Sequence, residues 1–406
     1  MAFKNSTGKL TTTKYGEPYL WGSGDVTTIP SNEVKITASD AASFDYFGKS
    51  VAVGNGRIVV GAYQDDDNGN RSGSAYIFDL DGTQLAKITA SDGAADDEFG
   101  KSVAVGSGRI VVGAFRDDDN GSSSGSAYIF DLDGTQIAKI TASDGAADDQ
   151  FGYSVAIGNG RIVVGTPFDD DNGSSSGSAY IYNLSGTQLA KITASDGASN
   201  DRFGHSVAVG NGRIVVGAYS DDDNGSNSGS AYIFDLNGTQ LAKITASDAA
   251  EADLFGYSVA IGSGRIVVGA YYDDDNGSQS GSAYIFDLDG IQIAKITASD
   301  GASGDYFGIS VAVGSGRIVV GAYGDDDNGN SSGSAYIFDL DGTQLAKITA
   351  SDGAVDDSFG HSVAVGNGRI VVGADGNDDN GTDSGSAYIY ETPRVYTPYD
   401  LIYNEV

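Results

Sequence analysis

The chain has no cysteine, one tryptophan, one methionine, two histidines and five prolines among 406 residues. Without cysteine there can be no disulfide, thiolate metal site or cysteine nucleophile. Two histidines are too few for the usual zinc sites. Positive charge is scarce: 23 Lys+Arg stand against 56 Asp+Glu, a formal net charge of −33. Such a chain repels DNA, RNA and anionic membranes, so a nucleic-acid partner is not expected. It attracts cations, although solubility in a salty habitat explains the charge as well as a specific cation role does. Long apolar runs are also missing, so no membrane insertion is expected. Residues 1–30 hold no stretch of signal-peptide type. The expectation is cytosolic synthesis and a route outward without a cleaved signal, such as lysis, ending at a virion or an extracellular surface.

Repetition is what the chain has in abundance. Asp97–Gly113 reads DEFGKSVAVGSGRIVVG, and its Phe-Gly pair recurs at Phe47, Phe99, Phe151, Phe203, Phe255, Phe307 and Phe359, always 52 residues on, as from Phe47 to Phe99. A fixed period of this length marks an array of one supersecondary unit and overrides the two or three domains that length alone would give. In the second copy Ser102–Val105, Arg109–Ala114, Ser126–Leu132 and Gln136–Ala142 read as strands A to D. They are rich in Val, Ile, Tyr and Phe and separated by Gly-, Asp-, Asn- and Ser-rich turns.

Seven such four-stranded units predict an all-β, seven-bladed β-propeller, because stacking buries both faces of each sheet and ring closure removes free ends. The last copy lacks strand D; Glu391-Thr392-Pro393 stands in its place. A matching segment, Val34–Ala38, precedes the first Phe-Gly, so it is expected to pair with Ser386–Tyr390 and seal the last blade. The domain reading is then an N-terminal arm over 1–32, a propeller over 33–391 and a C-terminal tail over 392–406. The arm is rich in Tyr15, Tyr19, Leu20 and Trp21, which are costly to leave in water. It is expected to dock on its own propeller or on other structural proteins of an assembly, with the tail a second docking segment or a disordered end.

Phe-Gly-x-Ser-Val-Ala, Ile-Val-Val-Gly-Ala and Gly-Ser-Ala-Tyr-Ile-Phe resemble the FG-GAP repeats of integrin α-subunit propellers and of related bacterial and viral proteins. The resemblance spans about 33–391. It implies a seven-bladed propeller that binds proteins or glycans, usually without catalysis. Integrin-type repeats often carry an Asp-rich calcium loop between strands A and B. Here that place holds only Gly54–Gly56, Gly106–Gly108 and their equivalents, so that calcium site does not carry over.

In a propeller the D–A and B–C loops share one face and the A–B and C–D turns the other. The first face collects the carboxylates. The second collects Arg57, Arg109, Arg161, Arg213, Arg265, Arg317 and Arg369, for which pairing with turn carboxylates or carbonyls of a neighbouring blade is expected. The Asp-Asp-Asp-Asn-Gly run of the B–C loop offers a possible calcium site at Asp65 and Asp67, Asp117 and Asp119, Asp169 and Asp171, Asp221 and Asp223, Asp273 and Asp275, and Asp325 and Asp327. Its spacing is not that of an EF-hand, and an Asx-turn network that caps loop amides explains the run too.

The copies differ from one another mainly on this acidic face. The varied positions include Tyr46, Tyr63, Arg71, Phe115, Arg116, Tyr153, Phe168, Arg202, His205, Tyr219, Tyr257, Tyr271, Tyr272, Tyr306, Tyr323 and His361. Tyr and Arg dominate interface hot spots; drift of exposed loops is the competing explanation. The functional expectation is a non-enzymatic recognition or structural module that binds protein or glycan through this face. A phage or virus fibre, knob or decoration protein fits, anchored by residues 1–32 and 392–406. A calcium-dependent bacterial adhesin is the alternative. A hydrolase with a site at the channel mouth is a further one, although no nucleophile–base–orienter set is visible.

Overall fold

The computed structural model describes residues 32–393, together with the backbone of four two-residue strands, Thr11–Thr12, Pro18–Tyr19, Val26–Thr27 and Val395–Tyr396. Val26–Thr27 pairs antiparallel with Val395–Tyr396. The expected docking of the two terminal segments otherwise lies outside the described residues.

The second copy shows the blade. Ser102–Gly106, Arg109–Ala114, Ser126–Phe130 and Gln136–Ile140 form one antiparallel sheet in the order A-B-C-D. Gly106 is paired with Arg109 across Ser107 and Gly108, whose φ values are 48° and 75°. Two left-handed central residues make a type I′ turn, whose twist matches that of the flanking strands. Strands C and D end two residues earlier than the sequence predicts. The Asp131 carboxylate accepts the amides of Asp133 (3.0 Å) and Thr135 (2.8 Å), so an Asx turn takes over from the ladder.

Seven such sheets stand in a ring, and the chain's own ends close it. The last sheet takes Val34–Ile36 as its outer strand, with Ile36 opposite Ala387, Lys35 opposite Tyr388 and Val34 opposite Ile389. This is the expected pairing, over three residues of the segment. The core lies between blades. At one junction Val111, Ile129 and Ile140 meet Val155, Ile162, Val164 and Tyr180; at the closing junction Val371 and Ile389 meet Ile58, Val60 and Tyr76.

The Phe-Gly pair makes each junction. Phe151 is fully buried, with its ring edge-on to Tyr180 and Tyr182 at 5.5 and 6.0 Å. Gly152 follows at a φ of +90°, and a Cβ there would lie 2.3 Å from the Ser126 carbonyl oxygen of the preceding blade. Only glycine allows that approach. Ser102 Oγ donates to Gly152 O at 2.9 Å, latching strand A to the next blade. On the far face Arg57 donates to Leu132 O (3.1 Å) and Asp133 (3.3 Å), and Arg369 to Leu80 O (3.0 Å) and Asp81 (3.1 Å). Arg161 and Arg265 reach Leu236 O and Leu340 O in the same way. These four arginines staple neighbouring blades together as the sequence predicts, whereas the Nε of Arg109, Arg213 and Arg317 has no such partner among the described residues.

Candidate functional site

The carboxylates on the D–A and B–C loop face are organised around lysines. In the third blade Lys191, on strand D, lies 2.9 Å from Asp144, 2.9 Å from Asp169 and 2.5 Å from Asp171. The Tyr180 hydroxyl lies 2.8 Å from Asp144 and 3.1 Å from Asp169, and Ser178 Oγ donates to Asp169 at 3.0 Å. The Asp169 side chain is only 4% exposed, whereas Asp144 and Asp171 are about half exposed. Burial alone would lower the lysine pKa, but the three carboxylates outweigh it and hold Lys191 above its ordinary value. Burial would likewise raise Asp144, but Lys191 and Tyr180 outweigh it and hold Asp144 below the usual range.

The same knot forms with Lys87, Lys139, Lys243, Lys295 and Lys347 in the other complete copies. In the seventh, Asn377 replaces the first Asp; Lys35 reaches Asp352 at 2.8 Å, Asn377 at 3.3 Å, and Asp379. Each Asp-Asp-Asp run also caps its own loop: Asp169 accepts the Asp171 amide at 3.1 Å, and Asp170 accepts the Ser175 amide at 2.6 Å. The Asx-turn network is thus present.

Asp40, Asp65 and Asp67 bring oxygens within 4.8 Å of one another, as do Asp300, Asp325 and Asp327, so these clusters could hold a metal ion. The donors suit calcium. The centre among them, however, is held by an ammonium: Lys87 lies 2.8, 2.9 and 2.5 Å from the first three, and Lys347 lies 2.9, 2.9 and 2.7 Å from the second three. An ammonium and a divalent ion exclude each other there, so the site with its lysine in place does not fit calcium. The lysine that recurs in every Lys-Ile-Thr-Ala-Ser-Asp segment is the signal of these knots in the sequence.

A second set of carboxylates, ahead of each Phe-Gly pair, is also buried. Asp45, Asp97, Asp149, Asp201 and Asp253 are each no more than 6% exposed. Desolvation pushes their pKa up to about 6, although each accepts a backbone amide, as Asp149 does from Ala146 at 2.7 Å.

The residue after each Phe-Gly rims the central channel. Lys49, Lys101, Tyr153, His205, Tyr257, Ile309 and His361 surround a mouth of ≈ 250 Å³, and the Val-Ala-Val and Val-Ala-Ile of the seven A strands line the channel beyond. The rim has two halves. Tyr153, His205 and Tyr257 stand in contact, with ring centres 5.0 and 4.5 Å apart. Behind them Phe115 meets Tyr153, Tyr219 meets His205, and Tyr271 meets Tyr257. The aromatic arc continues through Tyr272, Tyr306 and Tyr323 to His361.

The other half is charged. Lys49 lies 3.0 Å from His361 Nε2 and 3.2 Å from Asp375. Lys101 has no ion-pair partner among the described residues and faces the Tyr63 ring at 5.0 Å. Burial, with repulsion from Lys49, lowers the Lys101 pKa to about 8. Burial likewise lowers His205 and His361 to about 4, so both rings are neutral at pH 7.

The predicted face residues therefore split into groups. Tyr153, His205, Tyr257 and His361 converge on the mouth, and Tyr63, Phe115, Tyr219, Tyr271 and Tyr323 back them. Farther out, Arg202 stacks on Phe168 at 4.1 Å, Arg116 pairs with Glu98 at 3.3 Å, Tyr46 contacts Tyr63 at 5.6 Å, and Arg71 is exposed. Lys49 and Lys101, at the same varied position as Tyr153, belong to the mouth but were left out of the predicted face.

The FG-GAP repeat family matches residues 30–78, 83–130, 135–182, 187–234, 239–286, 291–338 and 343–390. The chain belongs to the FG-GAP repeat family. Each FG-GAP segment runs from one blade's strand D into strand C of the next, so the family unit straddles two blades and ring closure completes the seventh. No curated protein matches the chain. An FG-GAP propeller is in general a binding or structural module, typically without catalysis.

Proposed function

We propose that this FG-GAP propeller is a non-catalytic recognition module that contacts a protein or a glycan through its D–A and B–C loop face. The observation that carries this is where the chain departs from its own repeat. The Phe-Gly junctions recur in every blade and the lysine knots in all but the altered seventh, whereas the mouth and the loops around it vary from blade to blade. Half-buried Tyr and Arg at changing positions supply rigid contact area of the hot-spot type. Among the described residues no serine hydroxyl is hydrogen-bonded to either half-buried histidine, whose partners are Tyr257 O and Lys49, which argues against hydrolysis.

In this reading the lysine knots hold the loops, and calcium acts only where it displaces a lysine. A place in a virus particle, anchored by residues 1–32 and 392–406, fits the acidic, cysteine-free composition. The test is binding of the full chain to arrays of glycans and surface proteins, with Arg202→Ala/Tyr272→Ala on the loop face compared with Arg57→Ala on the far face. The reading expects binding that only the first variant weakens. Equal loss in both variants, or loss in Arg57→Ala alone, overturns it.

A further inference from the structure

We propose that the channel mouth is a binding site for a single acidic sugar ring, a pyranose that carries a carboxylate, at the end of a glycan. The inference rests on the recognition reading above and names its ligand. Three observations combine. First, the rim is divided: Tyr153, His205 and Tyr257 form an unbroken aromatic wall, and Lys101 and then Lys49 continue the ring from the Tyr153 end of that wall. Aromatic faces take the C–H face of a pyranose, and a lysine takes its carboxylate.

Second, the charge there runs against the rest of the molecule. In a chain of net charge −33, Asp375 pairs with Lys49, and Lys101 forms no ion pair of its own among the described residues, with Glu98 and Asp375 acting on it only from a distance. A partly buried ammonium with no ion pair of its own is stabilised by a ligand that supplies an anion. His361, whose Nε2 lies 3.0 Å from Lys49, also belongs to the rim. Third, the mouth holds ≈ 250 Å³, below the roughly 300–1,000 Å³ of sites for drug-sized ligands. That suits one ring rather than a peptide segment.

The experiment is calorimetric titration of the full chain with galacturonate, galactose and acetate. Galacturonate is expected to bind at least tenfold more tightly than either of the others. Lys101→Gln is expected to weaken galacturonate at least tenfold and leave galactose unchanged, and Tyr257→Ala to weaken both sugars. Arg57→Ala on the far face should change nothing. Circular dichroism confirms that each variant is folded; if Lys101→Gln does not fold, Lys101→Met serves. Galactose binding as tightly as galacturonate, acetate matching galacturonate, or no effect at Lys101 overturns the proposal. Absence of galacturonate binding overturns it too. If the Arg202→Ala/Tyr272→Ala variant still loses another partner in that case, the broader recognition reading survives while this one falls.

Discussion

Replacing Lys191 with alanine should expose what the lysine knots do. The substitution leaves Asp144, Asp169 and Asp171 facing one another without their shared cation. Asp144 and Asp171 are about half exposed, so their pairs with Lys191 are worth only about 0–1 kcal/mol each. Asp169 is different, because its side chain is 4% exposed and water cannot replace the ammonium. Removing one partner of a buried pair costs about 3–5 kcal/mol. Tyr180 and Ser178 still reach Asp169, which argues for the lower end, about 3 kcal/mol. With about 2.1 cal/mol/K of unfolding entropy per residue over a ring of this size, that is a fall in Tm of about 4 °C. Thermal unfolding followed by circular dichroism reads it directly. Millimolar calcium should restore much of the loss in Lys191→Ala, because the three carboxylates then form an open oxygen site. The unaltered chain should show the same Tm in calcium and in chelator. A Lys191→Ala protein that melts like the parent, or a parent that gains several degrees in calcium, would refute the lysine as resident cation.

The pH dependence follows from opposing sets of groups. Asp45, Asp97, Asp149, Asp201 and Asp253 have folded pKa values near 6, above the unfolded 3.8, so the folded state binds more protons between those values and gains stability as pH falls from about 7 toward 4. His205 and His361, lowered to about 4, act the other way over that range but are fewer. Asp40, Asp92, Asp144 and their equivalents are held below 3.8, and their contribution is lost below that pH. Tm should therefore peak between about pH 4 and 6 and fall steeply below; a Tm that declines steadily from pH 7 downward would contradict this. Phe151→Ala should cost about 3–5 kcal/mol through the cavity left between two blades, seen as a lower unfolding midpoint in denaturant. Gly113→Ala should be at least as damaging, since its Cβ would lie 2.0 Å from Gly152 O; wild-type stability there would mean the junction is looser than described.

The fold was legible because every level of the sequence agrees. The 52-residue step, the Gly-Ser-Gly hairpins and the displaced Val34–Ala38 segment each follow from local rules, and each points to one closed ring. Strand ends were less legible, since Asp131 works as a turn-closing side chain that propensity does not show. The knots were missed for a different reason. Lys191 and Asp169 are 22 residues apart and Asp144 is 47 from the lysine, so only the blade's three-dimensional register brings them together. The loop face could be named from its internal variation, but its two halves could not. Which varied residues reach the channel, Lys49 and Lys101 among them, depends on the side chains' inward order.

Ring closure by the chain's own ends is the claim on which the sorting of loops depends. The natural absence of cysteine allows a direct measurement: a Val34→Cys/Ile389→Cys protein can form only one intramolecular disulfide. Paired positions on antiparallel strands lie about 4.5–5.5 Å apart at Cα, within the range a disulfide spans. Val34 and Ile389 are such a pair. Mild oxidation of dilute protein should therefore give one intramolecular bond, a monomer with no free thiol, and a raised Tm that falls back on reduction. Free thiols or disulfide-linked dimers instead would mean that the first strand does not close the last blade.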